Sequence, residues 1–138
     1  MIDKALWRAA KEADYAIPAG YTTAQLVPAL LDGLCSTDPE LRDSLSYELL
    51  ATWVQRGHFS PAECREMLPQ LLANLRMGPG EGENDQVFGR TFSVLILAEI
   101  IAYDGKVQFL NEPELQEILE AGLQYLAEEQ DLRGYVPD

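Results

Sequence analysis

Basic residues are scarce in this chain. Ten lysines and arginines stand against 23 aspartates and glutamates over 138 residues, a formal net charge of −13. Proteins that neutralise phosphates carry a basic stripe, and none is visible, so the long-range field repels DNA, RNA and anionic membranes. Histidine occurs once, at His58, and cysteine twice, at Cys35 and Cys64. Neither cysteine has a C-x-x-C neighbour or a histidine at ligand spacing. Both are expected to be buried free thiols in a reducing compartment. The longest near-apolar run, Ser93 to Tyr103, contains Glu99 and falls short of the ~20 residues that span a bilayer. The opening "MIDKALWRAAKEAD" spreads its charges and lacks an apolar centre, so it does not read as a signal peptide. The expected location is the cytoplasm. Length and composition bound the chain to one domain, residues 1–138, able to bury one core.

Strand signals are nearly absent, and helix signals recur. Residues Asp3 to Ala16 read as a first helix, with Leu6, Ala9, Ala10 and Ala13 on one stripe. Thr22 or Thr23 caps a second helix that runs through Leu34. In "STDPELRD", Asp38 suits the N-cap and Pro39 the first helical position, opening a third helix that stops at Gly57. Its apolar face is Leu41, Leu45, Leu49 and Trp53, widened by Leu50 and Val54. "SPAE" repeats the grammar: Ser60 caps, Pro61 opens and Glu63 completes a capping box. This fourth helix reaches about Met77. After the glycine-rich "GPGEGEN", a fifth helix from about Asp85 to Tyr103 is apolar on most sides and is expected to be the most buried element. The sixth opens near Asn111 and Pro113. Its apolar stripe is Leu115, Ile118, Leu119, Gly122, Leu123 and Leu126, and its glutamates lie mostly elsewhere.

Two stretches align without gaps at an offset of 41 residues, "LVPALLDGL" from Leu26 and "MLPQLLANL" from Met67. Pro28 falls on Pro69, Leu30 on Leu71, Leu31 on Leu72 and Leu34 on Leu75. A weaker third copy, "LQEILEAGL", runs from Leu115 to Leu123 without the proline. A period near 40 with two helices per unit fits HEAT or armadillo repeats. The expected fold is therefore all-α, a right-handed stack of antiparallel helix pairs with about six helices. A proline inside each first helix bends it and lets successive pairs nest. Arg42, early in the second helix of one unit, has a counterpart in Arg90, 48 residues later.

The blocks "LRDSLSYELLATWV", "VFGRTFSVLILAEIIAYD" and "EEQDLRGYVPD" together resemble the bacterial domain of unknown function 2785 family. The resemblance implies a helical-repeat protein and no established activity. Family members typically continue after "DLRGY" with a Gly-Trp, two histidines and an aspartate, and then a further helical half. The resemblance thus implies that this chain matches the front half of a longer member, or a natural short form. A metal site built on those histidines does not carry over, since His58 lies outside any matching motif.

The polar residues that stand out are Arg42, Asp43, Glu48, Arg90, Asp131 and Arg133. Charged turns in helical stacks usually form ladders and cap neighbouring helix ends, and Arg42 and Asp43 are expected to do so. Glu48 is expected to face solvent or pair with Arg42 or Arg90, and Arg90 to pair with Asp43, Glu48 or Asp131. A buried Glu48 acting as acid or base is the sharper alternative. Ser93 has no His and Asp beside it to make it a nucleophile. "GPGEGEN" lacks the Lys-Ser/Thr end of a phosphate loop. No catalytic residue, cofactor or metal ligand is assigned. The leading expectation is a scaffold module that binds a protein or peptide. The alternatives are part of a metal-dependent hydrolase completed by a second half, and a HEAT-like DNA glycosylase, which the charge opposes. A helix stack ending in mid-array exposes an apolar edge. Leu123, Leu126, Leu132 and Tyr135 lie near that end, so the chain is expected to dimerise through it or cover it with its own tail.

Overall fold

Short polar side chains punctuate this fold before every helix that they cap. The computed structural model describes residues 2–77 and 86–129, and among them there are six helices and no strand. Helix α1 spans Lys4–Glu12, with the Asp3 carboxylate accepting from the Leu6 N–H. Helix α2 spans Thr23–Gly33 behind a Thr22/Gln25 capping box. Helix α3 has two parts, a π-helical segment over Glu40–Tyr47 that runs directly into an α-helix over Glu48–Gln55. Helices α4, Pro61–Leu75, and α6, Glu112–Glu128, open with Ser60/Glu63 and Asn111/Glu114 capping boxes. Between them, α5 covers Val87–Val107.

The first helix is shorter than the pattern suggests. It ends at Glu12, and Asp14 and Tyr15 turn the chain in the left-handed region, with φ of 56° and 63°. Side chains hold this strained turn from outside. Trp53 Nε1 donates to the Tyr15 carbonyl at 2.7 Å, and Arg56 donates to the Asp14 carbonyl at 2.6 Å. Helix α5 is displaced the other way: it starts at Val87 and runs four residues beyond Tyr103, ending at a left-handed Gln108. Nor is it wrapped on all sides. Its first part is deeply buried, whereas Ile101 and Val107 near its end are exposed.

The two gap-free stretches fall on α2 and α4 and bury the same positions. Leu26, Leu30 and Leu34 are fully buried, as are Met67, Leu71 and Leu75, while Pro28 and Pro69 both face out. Each of these helices packs on the helix that follows it, α2 on α3 and α4 on α5. The correspondence extends to polar atoms. Arg42 Nη1 donates to the carbonyl of Ser36 at 3.3 Å, and Arg90 Nη1 to that of Met77 at 2.6 Å. Those two acceptors are again 41 residues apart. Gly33 lies against Ser46, where an added Cβ would fall 1.9 Å from the hydroxyl oxygen. At the matching place, Asn74 Nδ2 donates to Ser93 Oγ at 3.1 Å.

The π segment has a local explanation in this register. Four residues separate Arg42 from Ser46, but only three separate Arg90 from Ser93. An α-helix turns each residue by about 100°, so one extra residue would swing everything after it off the core. A wider π turn absorbs the extra residue, as π-bulges do. Leu45, Leu49 and Trp53 therefore stay inside. The remaining contacts tie the helices together: α1 on the π segment, α2 on α4, α3 on α5, and α6 on both α4 and α5.

Candidate functional site

Arg42 is buried at the start of α3, where Nε donates to Asp43 Oδ1 at 2.6 Å. Its guanidinium lies 4.1 Å from the Phe88 ring centroid and 5.3 Å from that of Phe92. An aromatic face, a carboxylate and a helix-end carbonyl thus replace its hydration.

Arg90 is fully buried at the start of α5, and its fork meets the Glu129 carboxylate at 2.5 Å and 2.9 Å. Glu129 just after α6, rather than Asp43 or Glu48, supplies that carboxylate. Beside the pair, the Thr91 and Tyr125 hydroxyls lie 3.2 Å apart. Glu48 pairs with Lys11 of α1 and not with an arginine. Sequence spacing could not reveal that partner, because Lys11 and Glu48 lie far apart along the chain and meet only where α1 packs on α3. Asp131 and Arg133 lie outside the described residues, as do "GPGEGEN", Leu132 and Tyr135.

The outer charges mostly stitch helices together. Lys4 pairs with Asp38 and Glu40, and Arg8 with Glu40, joining α1 to the start of α3. The Arg8 and Lys4 hydrogen bonds hold the Glu40 carboxyl down at about 2, and Lys4 holds Asp38 below the usual range. Arg65 of α4 binds Glu114 at 3.1 Å and also reaches the Phe109 carbonyl. Cys64 is a buried free thiol, and burial pushes it up to about 11; Cys35, also free, is half-buried. Among the described residues, no group of three or more His, Cys, Asp or Glu side chains is arranged to hold a metal ion. No described helix is long and apolar enough to cross a membrane.

One feature with room for a ligand is apolar. A groove of about 440 Å³ runs between α5 and α6. Val94, Leu97, Ala98 and Ile101 form one wall, and Leu115, Leu119, Leu123 and Leu126 the other. Leu119, Leu123 and Leu126 are 61%, 59% and 72% exposed. Helix α6 buries Ile118, Ala121 and Tyr125 against the body and turns this leucine ridge outward. The apolar stripe of Leu115, Ile118, Leu119, Gly122, Leu123 and Leu126 was legible in the sequence; that Ile118 faces the body while Leu119, Leu123 and Leu126 face out was not. A smaller hollow of about 280 Å³ lies between α2 and α4, with Asp32, Glu63 and Glu66 at its edge. Glu63 is already committed there, to the Ser60 N–H and to Thr23.

The sequence model of a family described as protein of unknown function (DUF2785) matches residues 71–138. The chain resembles that family over this stretch, which takes in two of the three blocks singled out above; "LRDSLSYELLATWV" lies before it. No curated protein and no solved structure matches the chain.

Proposed function

We propose that the chain is a HEAT-like repeat module of the cytoplasm, a right-handed stack of antiparallel helix pairs that binds a protein or peptide through the α5–α6 groove. The observation that carries this reading is the exposed ridge of Leu119, Leu123 and Leu126 over an apolar trough. Large apolar side chains gathered on one face mark an interaction surface far better than the same residues scattered singly. The matched burial of α2 and α4 and the pairing of each with its successor support the repeat arrangement. The same groove is where two copies of the chain would meet end to end. With −13 net charge, nucleic acid is not the expected ligand.

The test is selection from a displayed random peptide library against the parent and a Leu123→Lys/Leu126→Lys variant. Both leucines are exposed, so the variant should fold as the parent does. The reading expects enriched peptides that bind the parent and lose at least tenfold on the variant, about 1.4 kcal/mol. Peptides that bind both chains equally, or none that bind the parent, would contradict it.

A further inference from the structure

Gly122 of α6 occupies the place that Gly33 has in α2 and Asn74 in α4, by the alignment of the three leucine stretches. At Gly33, an added Cβ would strike Ser46 of α3. At Asn74, the side chain bonds Ser93 of α5. At Gly122, an added Cβ would meet nothing within 4 Å. The leucines show the same break. Leu30 and Leu71 are fully buried, whereas Leu119 at the matching position is exposed; Leu34 and Leu75 are buried, whereas Leu123 is exposed.

The cover present on α2 and α4, and missing on α6 among the described residues, is a helix. Helix α5 packs on α4, the first helix of its own pair, and also on α3, the second helix of the pair before. A helix placed likewise on α6 would also touch α5. Among the described residues the open groove is lined by those two helices and no others. Helix α6 carries five glutamates and no lysine or arginine; none of them lines the groove, Glu114 binds Arg65 of α4, and Glu112 lies beside Leu115 and Leu119 at the outer edge.

We infer that the groove receives one amphipathic helix from a partner chain, in the position that α3 and α5 hold on α2 and α4. Its apolar stripe lies across Leu119 and Leu123, its backbone passes close to Gly122, and lysines or arginines flank the stripe to meet the α6 glutamates. This inference rests on the groove being the binding face. It adds the conformation, register and charge of the occupant.

The probes are three synthetic 18-residue peptides. One has leucine and isoleucine at helical spacing with flanking lysines, one is its glutamate-flanked isomer, and one has the lysine-flanked sequence broken by two central prolines. Binding is measured by fluorescence anisotropy to the full chain, to Gly122→Leu and to Gly122→Ala. Gly122→Leu adds apolar surface to the groove but fills the place of closest helix approach. The inference expects the lysine-flanked peptide to bind at least tenfold tighter than either other peptide. It also expects at least tenfold weaker binding to Gly122→Leu and a smaller loss with Gly122→Ala. Both variants replace a glycine whose Cβ direction is open, and circular dichroism checks that each is folded. If Gly122→Leu does not fold, the Gly122→Ala loss decides. Equal or tighter binding to the glycine variants, or no preference for the lysine-flanked helix, would overturn the inference. Library peptides that still depend on Leu123 and Leu126 would in that case leave the binding face itself standing. Sedimentation of a dimer that Leu123→Lys/Leu126→Lys dissolves would assign the face to a second copy and overturn the inference as well.

Discussion

At the scale of single residues, two buried arginines mark where one helix hands over to the next. Arg90 is the stricter case, because its partner Glu129 is also almost wholly out of water, with a side chain 5% exposed. Removing one member of such a pair leaves the other charge buried and uncompensated. Arg90→Leu is expected to lower unfolding free energy by about 3–5 kcal/mol in urea denaturation, with Arg90→Leu/Glu129→Leu recovering much of the loss. Arg90→Lys should not rescue it, since a single ammonium cannot replace the two-pronged contact. Glu40 sets a pH dependence at the opposite end of the chain. Its pKa in the folded protein, about 2, lies below the ordinary 4.5, so the unfolded chain takes up this proton first as pH falls. Its contribution is complete above about pH 4.5 and is lost as pH falls through 2. Carboxyl-resolved NMR titration should place Glu40 near 2, and 1 M salt should move it upward, because the Lys4 and Arg8 contacts are partly exposed. Both arginines stood out in the sequence as charged residues in apolar company. The identity of their partners did not, because pairing distance along the chain carries no signal.

At the scale of elements, capping residues and apolar spacing foretold where most helices begin. Thr22, Ser60 and Asn111 cap in fact, and Asp38 accepts from the Glu40 N–H at 3.0 Å. Helix ends were less legible. The left-handed turn at Asp14 and Tyr15 depends on Trp53 and Arg56, about forty residues away. The π segment of α3 was invisible to periodicity, since Leu45, Leu49 and Trp53 keep an ordinary i, i+4 spacing among themselves. It becomes intelligible only beside α5. Deleting Ser44 restores the three-residue spacing found between Arg90 and Ser93. The expected result is a folded chain that loses no more than an ordinary substitution does, roughly 1 kcal/mol by denaturation. Deleting Leu95 from the regular part of α5 should unfold the protein, because Ile96, Leu97 and Ile100 would rotate off the core.

At the scale of the whole molecule, α3 covers α2 and α5 covers α4, whereas among the described residues no helix covers α6 in the same way. The periodic leucines foretold this helix and the apolar edge near it, but the number of leucines on a stripe does not say how many neighbours cover them. Only the packed chain separates Leu30 and Leu71, fully buried, from Leu119, 61% exposed. The most direct measurement is a methyl NMR titration of the full chain, with leucine, isoleucine and valine labelled, against the lysine-flanked helical peptide. The account predicts saturable shifts at Leu119, Leu123, Leu126, Val94 and Ile101, with the methyls of Leu26, Leu30 and Leu49 unmoved. Shifts centred on the hollow between α2 and α4, or none at the α6 leucines, would contradict it.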